Sequence, residues 1–331
     1  MDAQGLGSGP IEGVTPIGGG TQNVMVRFTR DGREYVLRRG PEHLRPISNK
    51  VISRESTVLR ALNGTDVPAP RLIASCDDVS VLGDAVFYLM EPIDGFNAGL
   101  ELPEAAAGTP ELRRELGFSL VDALASLHRV DHDAVGLSDF GKPDGFLGRQ
   151  VDRWLGELDA HLALPGYPEV ELPHVDEVAA WLRDRVPAQW TPGILHGDYH
   201  ACNVMFRRDA PAVAAIVDWE MATIGDPLLD LGWLIATWDL DGAPAEFAGR
   251  LTSAGGLPTA DELAKHYAGQ SDRDLTHLPW YVVLACFKLA IILEGTHARA
   301  KSGLAPKNVG DQLHATAVAL FERAHTIVNG A

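Results

Sequence analysis

Two hydrophobic periods divide this chain near Gly95, and no single layer of secondary structure satisfies both. Before that point apolar residues alternate: "VMVRFTRDGREYVLRR" (24–39) is two period-two runs joined at Asp31-Gly32, a dipeptide suited to a tight hairpin. "ISRESTVLRALNG" (52–64) then sets Ile52, Val58, Leu59 and Leu62 at helical spacing and stops at Asn63-Gly64. The prolines of "VPAPRLIASCDD" exclude a helix, and "AVFYLMEPIDG" reads as an apolar strand ending in a turn. After Gly95, "ELRRELGFSLVDALASLHRVD" (111–131) places Leu112, Leu116, Leu120, Leu124 and Leu127 on one face of a helix. Helical patterns follow near 146–162, 174–186, 227–238, 259–268 and 278–300, and the clear strand signals left are "NVMF" and "AAIVDW". The expectation is an α+β protein with a small β-rich N-terminal lobe, 1–91, and a larger, mainly helical C-terminal lobe, 92–331.

At 331 residues, with 46% hydrophobic and 22% charged, the chain can bury a sizeable core as one large domain or two lobes sharing a cleft. A formal net charge of −17 repels phosphate backbones and anionic lipid, so neither nucleic acid nor membrane is an expected partner. Cys76, Cys202 and Cys286 are odd in number and form no C-x-x-C pair, which suggests neither a disulfide framework nor a structural zinc site. "MDAQGLGSGPIEGV" has no basic segment followed by an apolar run, and the apolar 280–293 stretch is short for a membrane span and contains Lys288. That stretch is expected to be a buried helix, and the protein cytoplasmic.

The chemistry concentrates in "ILHGDYHACNVMF" (194–206). His196, Asp198 and His200 form an H-x-D-x-H that resembles part of a metallohydrolase ligand set, but the other histidines are scattered and supply no clear remaining ligands. Asp198 and Asn203 have the D-x-x-x-x-N spacing of a kinase catalytic loop, in which a carboxylate orients a hydroxyl and an amide oxygen binds magnesium. Asp218 follows the apolar run "AAIV", at a strand end that a hairpin would bring beside Asn203. Cys202 reads better as a small loop residue than as a reactive thiol, because no adjacent cation is evident.

"LHGDYHACNVMF" followed by "AIVDWEMATIGDPLLDLGWL" resembles the aminoglycoside phosphotransferase and choline kinase-like family, whose fold is similar to that of protein kinases. The resemblance covers nearly the whole chain. It implies a bilobal kinase-like fold, Asp198 as catalytic base, His196 as a catalytic-loop brace, and Asn203 and Asp218 as magnesium ligands. Asp226 and Asp230 match later acids that support the loop and helix. "PIGGGTQNVMV" would bring Gly18, Gly19 and Gly20 near phosphates, although a glycine run before a strand is also an ordinary turn. "EYVLRR" stands where kinases have V-A-I-K, which puts Arg38 at the lysine position and Val36 under the adenine, with Glu55 as the ion-pair partner. Met90 and Glu91 in "FYLME" would offer backbone hydrogen bonds to a purine.

"GKPDGFLGRQVDRW" (141–154) and "FKLAIILEGTHARAKSG" look like the subgroup related to the kinase-like part of acyl-CoA dehydrogenase fusion proteins. There Arg149, Gln150, Arg153 and Trp154 are candidates for the acceptor side or for lobe packing. The function expected is transfer of the γ-phosphoryl of ATP, or GTP, with Mg2+, to a hydroxyl of a small molecule: an aminoglycoside, a hydroxy acid or hydroxyacyl thioester, a sugar or an amino alcohol. A nucleotide-binding regulator without turnover, a pseudokinase, is the alternative that Arg38 raises.

Overall fold

In the computed structural model described here, covering residues 1–18, 23–167, 172–238 and 250–330, the N-terminal part is a five-stranded antiparallel sheet. Its strands are β1 (Glu12–Pro16), β2 (Val24–Arg30), β3 (Arg33–Arg39), β4 (Leu72–Cys76) and β5 (Phe87–Met90), in the order β1-β2-β3-β5-β4. The β2–β3 turn is the expected one: Arg30 pairs with Arg33, and Asp31 and Gly32 between them both take positive φ, 48° and 72°. Helix α1 (Ser48–Leu62) lies on this sheet and buries Ile52, Val58, Leu59 and Leu62. Asn63 ends it and ties it to β4, accepting from the Leu72 amide at 3.1 Å and donating to the Leu72 carbonyl at 2.9 Å.

The rest is mainly helical: α2 (Glu104–Gly108), α3 (Pro110–His128), α4 (Gln150–Leu162), α5 (Val175–Asp184), α6 (Leu228–Trp238), α7 (Ala260–Ala268), α8 (Leu278–Lys301) and α9 (Lys307–Gly330). A sheet-bearing lobe joined to a helical lobe is the bilobal, kinase-like arrangement that the sequence leads one to expect. At 24 residues α8 is long and apolar enough to cross a membrane by length and composition, so the estimate of a short segment is corrected. It is nevertheless mostly buried within the fold, packed against α4, α6 and α9.

Two short antiparallel pairs carry the polar loop: β6 (Gly193–Leu195) with β9 (Thr223–Gly225), and β7 (Val204–Phe206) with β8 (Val213–Ile216). Strands β1, β6 and β9 and the terminal helix α9 lie beyond the elements expected from periodicity. The three strands have three to five residues, too few to show a period. Helix α9 buries a face rich in small residues, Gly310, Thr316, Ala317 and Ala324, beside Leu320 and Phe321, which weakens its apolar signal.

Candidate active site

The loop between β6 and β7 is held from beneath by Asp230 on α6. Its carboxylate accepts from the His196 amide at 2.7 Å and the Gly197 amide at 2.8 Å. Gly197 has φ 88°, and a Cβ there would lie 2.6 Å from the Met221 carbonyl, so glycine is required on both counts. The fully buried His196 ring accepts from the Asp198 amide through Nδ1 at 3.3 Å, so Nε2, 2.9 Å from the Val217 carbonyl, is the protonated donor. Both nitrogens therefore serve the backbone. His196 braces the loop, and the metallohydrolase reading loses one of its ligands.

Asp198 is thereby fixed at the loop's centre. The Asn203 amide nitrogen donates to its carboxylate at 2.8 Å and to its carbonyl at 2.9 Å, and His200 Nε2 stands 3.5 Å from the other carboxylate oxygen. Burial alone would raise the Asp198 carboxyl, but His200, then Lys288, outweigh it and hold the group well below the usual carboxylate range. The same pairing overcomes burial at His200 and raises its imidazole to about 9. Lys288 donates to the Gly197 carbonyl at 2.8 Å, and its burial among Trp154 and Trp233 lowers the ammonium to about 8 despite Asp198 and Asp230.

Asp218 stands at the end of the β7–β8 hairpin, where the Val217 amide donates to the Asn203 carbonyl at 2.9 Å and so brings the two positions together. It adopts φ 65°, a left-handed conformation that aspartate tolerates better than most residues. Arg38 reaches it from β3: Nη2 is 2.8 Å from Asp218 and 3.0 Å from Glu55, and Nε is 2.8 Å from the second Glu55 oxygen. The Tyr88 hydroxyl donates to Glu55 at 2.9 Å. Burial raises the Glu55 carboxyl, and the guanidinium, itself held firmly charged, opposes that rise. Glu220 is open to solvent, yet the surrounding protein and then Asp218 and Glu55 lift it to about 7.

Carboxylate oxygens of Glu55, Asp218 and Glu220 all lie within 4.8 Å of one another. With the Asn203 nitrogen held by Asp198, the amide oxygen is the atom left to ligate. A set of hard oxygen donors carrying surplus negative charge fits Mg2+.

The remaining sequence candidates sit along the sheet. Val36 is buried and pairs with Met90 across β3 and β5. The Glu91 amide already donates to the Arg71 carbonyl at 3.0 Å, so its N–H is unavailable to a purine, and its side chain pairs with Arg33 and Arg71 on the surface. Gly18 is exposed, and a Cβ there would have no atom of the described residues within 4 Å, while Gly19 and Gly20 lie outside the described residues. Tyr88, Lys288 and Arg54 were missed by sequence reasoning. A lysine inside an apolar helix was the available signal for Lys288.

Beside the loop opens a cavity of about 350 Å3, its wall including Gly197, Glu220, Asp230, Trp154, Trp233 and Lys288. Arg54, Gln150 and Arg153 line both this cavity and an adjoining one that also takes in Lys142 and Arg149. The Arg54 guanidinium stacks on Phe140 and donates to the Phe140 and Ala222 carbonyls, and Arg149 donates to the Asp144 and Lys142 carbonyls. Among the described residues no carboxylate comes within 4.0 Å of Arg54, Arg149 or Arg153.

Known proteins resemble this chain in sequence and in fold. The probable acyl-CoA dehydrogenase IBR3 of Arabidopsis thaliana is 33% identical over 301 residues, covering 85% of this chain and 35% of its own. The chain thus spans about a third of the length of the curated relatives it matches. A solved structure from Ralstonia eutropha JMP134, provisionally assigned as an aminoglycoside phosphotransferase, superposes with a TM-score of 0.79 at 29% identity, covering 96% of this chain and 94% of that one. A thermostable mutant of an aminoglycoside phosphotransferase, solved in a ternary complex with ADP and hygromycin B, shares the fold at a TM-score of 0.60 and 13% identity, over 93% and 94% of the two chains. The phosphotransferase enzyme family model matches residues 13–268, which include the sheet, Arg38 and the whole Asp198–Asp218 hairpin, and the chain belongs to that family.

Proposed function

We propose that this protein transfers the γ-phosphoryl group of ATP, or GTP, to a hydroxyl of an anionic small molecule. The observation that carries the transfer is the convergence of Asp198, in the loop before β7, with Asn203 and Asp218 at the two ends of the β7–β8 hairpin, with Arg38 spanning from the sheet to Asp218. The acceptor hydroxyl oxygen forms a bond to the γ-phosphorus, the bond from that phosphorus to the β-bridging oxygen breaks, and the nucleoside diphosphate leaves with the electron pair. Asp198, kept ionised by His200, orients the hydroxyl and takes its proton late, as a loose transition state requires. Asn203 and Asp218 would hold Mg2+, which when bound neutralises the phosphates. Arg38, released from Asp218, meets the transferred group with a planar fork of donors. The neighbour solved with ADP supports nucleotide use.

The cavity wall favours a negatively charged acceptor. In a chain of net charge −17, Arg54, Arg149, Arg153 and Lys288 gather beside the loop, and the three arginines lack carboxylate partners among the described residues. Glu220, Asp230 and Asp139 share these walls, but guanidinium groups with no carboxylate in contact remain free to attract a carboxylate or phosphate and disfavour a polycationic aminoglycoside. A hydroxy acid or hydroxyacyl thioester is therefore favoured over the other acceptor classes.

Nucleotide consumption should be measured across hydroxy acids, hydroxyacyl thioesters, sugars, amino alcohols and aminoglycosides. The expected result is turnover with anionic hydroxyl compounds and its loss in Asp198→Ala. Best turnover with aminoglycosides, or full activity in Asp198→Ala, overturns the reading. The regulator reading is favoured by one observation, Arg38 occupying Asp218, and nucleotide binding without consumption across the panel would support it.

A further inference from the structure

Helices α8 and α9 carry the same short pattern on facing surfaces: Glu294-x-x-His297 on α8 and Asp311-x-x-His314 on α9. Residues three apart share a helix face, so each helix presents one carboxylate and one imidazole together. The chain reverses between the helices at Gly303, φ 74°, and they pack closely along their length. A Cβ at Gly310 would lie 2.4 Å from the Ala300 side chain and 3.3 Å from the His297 Cα, so glycine permits the approach that makes the two patterns meet.

The meeting is close. His297 and His314 stack with ring centroids 4.3 Å apart, and His314 Nδ1 is 2.8 Å from Glu294 Oε2. The other Glu294 oxygen accepts from the Tyr167 hydroxyl at 2.5 Å, and Asp311 stands 3.8 Å from His297 Nδ1. Ligand atoms of Glu294, His297 and His314 all fall within 4.8 Å of one another. Glu294 is completely buried, whereas Asp311 is half exposed. A buried carboxylate is costly unless paired, and the partners gathered here are two imidazoles and a phenol.

We propose that Glu294, His297 and His314 form a transition-metal site, with Zn2+ as the chemical type of ion and Asp311 or water as fourth ligand. Two imidazoles and one carboxylate suit zinc or cobalt, whereas Mg2+ prefers oxygen ligands. Tyr167, bonded to the carboxylate, orients it from outside the ligand set. Bound metal would clamp the terminal helix α9 to the core helix α8 and stabilise the fold in proportion to its affinity. The site shares no ligand with the Asp198 cluster, so it stands or falls separately from the phosphotransfer reading.

The test is Co2+ titration of the tag-free full chain in excess Mg2+, read by visible absorption, with Zn2+ competition and melting temperature as second readouts. One equivalent should give the bands of a four- or five-coordinate nitrogen–oxygen site, displaced by Zn2+, and Zn2+ should raise the melting temperature. His314→Gln and His297→Gln, each checked for folding by circular dichroism, should weaken binding by about a hundredfold or more, beyond the 10–100-fold typical of losing an outer partner. His325→Gln is the control, because His174, Glu177 and His325 form a second, more exposed cluster. Absence of the bands in the wild type, their survival in both glutamine variants, or their loss in His325→Gln instead overturns the proposal.

Discussion

The guanidinium of Arg38 stands 2.8 Å from the Asp218 carboxylate while its Nε holds Glu55 at the same distance. One side chain thus joins the sheet, helix α1 and the Asn203–Asp218 hairpin. A lysine ammonium is a single point charge and cannot maintain this span. Arg38→Lys should keep the Glu55 pair and the fold while raising the KM for ATP about tenfold, the 1.4 kcal/mol of one charged contact. Arg38→Ala leaves Glu55 buried with Tyr88 alone and should destabilise by about 3–5 kcal/mol in urea unfolding. An unchanged KM in Arg38→Lys would remove Arg38 from the phosphate site.

Asp198→Asn preserves shape and removes the charge to which the proposed mechanism assigns orientation of the acceptor. It should lower kcat by about 10²–10⁴ and leave nucleotide affinity within a few-fold, since the loss belongs to proton transfer and positioning. Steady-state kinetics beside nucleotide titration calorimetry separate the two. A parallel loss of nucleotide affinity would instead place Asp198 among the metal ligands.

Where the chain announces itself and where it does not follows from local against distant causes. Asp31-Gly32, the α1 stop at Asn63 and the leucine face of α3 are set by neighbouring residues, and each was readable directly. Asp198, Asn203 and Asp218 stood out because a polar cluster between apolar runs has few other uses. Lys288 was hidden because its task depends on α8 crossing beneath Gly197, a contact 91 residues away in sequence. Arg149 and Arg153 are legible as acceptor-side candidates from the resemblance, whereas Arg54 is not: it lies on α1 and Arg153 on α4, and only the packing of the two lobes makes them neighbours. The Glu91 amide looked available to a purine until β4 was placed, with Arg71 beside it.

Asp230 accepts two backbone amides that no side chain in the loop can satisfy. Asp230→Ala should leave both N–H groups stranded in the interior, at about 1–3 kcal/mol each, and release the Asp198 loop. Asp230→Asn keeps one acceptor oxygen and should cost roughly half as much. Denaturant midpoints for the two variants, measured with kcat, test whether stability and activity fall together. An undiminished midpoint in Asp230→Ala would mean that the loop holds its shape without the helix beneath it.

His128 supplies a pH dependence distinct from that of Asp198 and its neighbours. Burial on α3 lowers its imidazole below the ordinary 6.5, with nearby Asp230, 3.6 Å from Nε2, opposing that shift only in part. The ring also bonds the Tyr267 hydroxyl through Nδ1 at 2.8 Å. The unfolded chain therefore takes up a proton at about pH 6.5 that the folded protein resists, so the unfolded state binds more protons as the solution is acidified. Stability from this residue is fully present above 6.5 and declines as pH falls below it, at up to about 1.4 kcal/mol per pH unit until the folded-state ring also protonates. His128→Gln cannot titrate, so its stability should vary less between pH 7 and pH 5 than the wild type's, whatever its absolute loss from the weakened Tyr267 contact. Urea midpoints at matched pH values give the difference in slope, and equal slopes would assign the acid sensitivity to other groups.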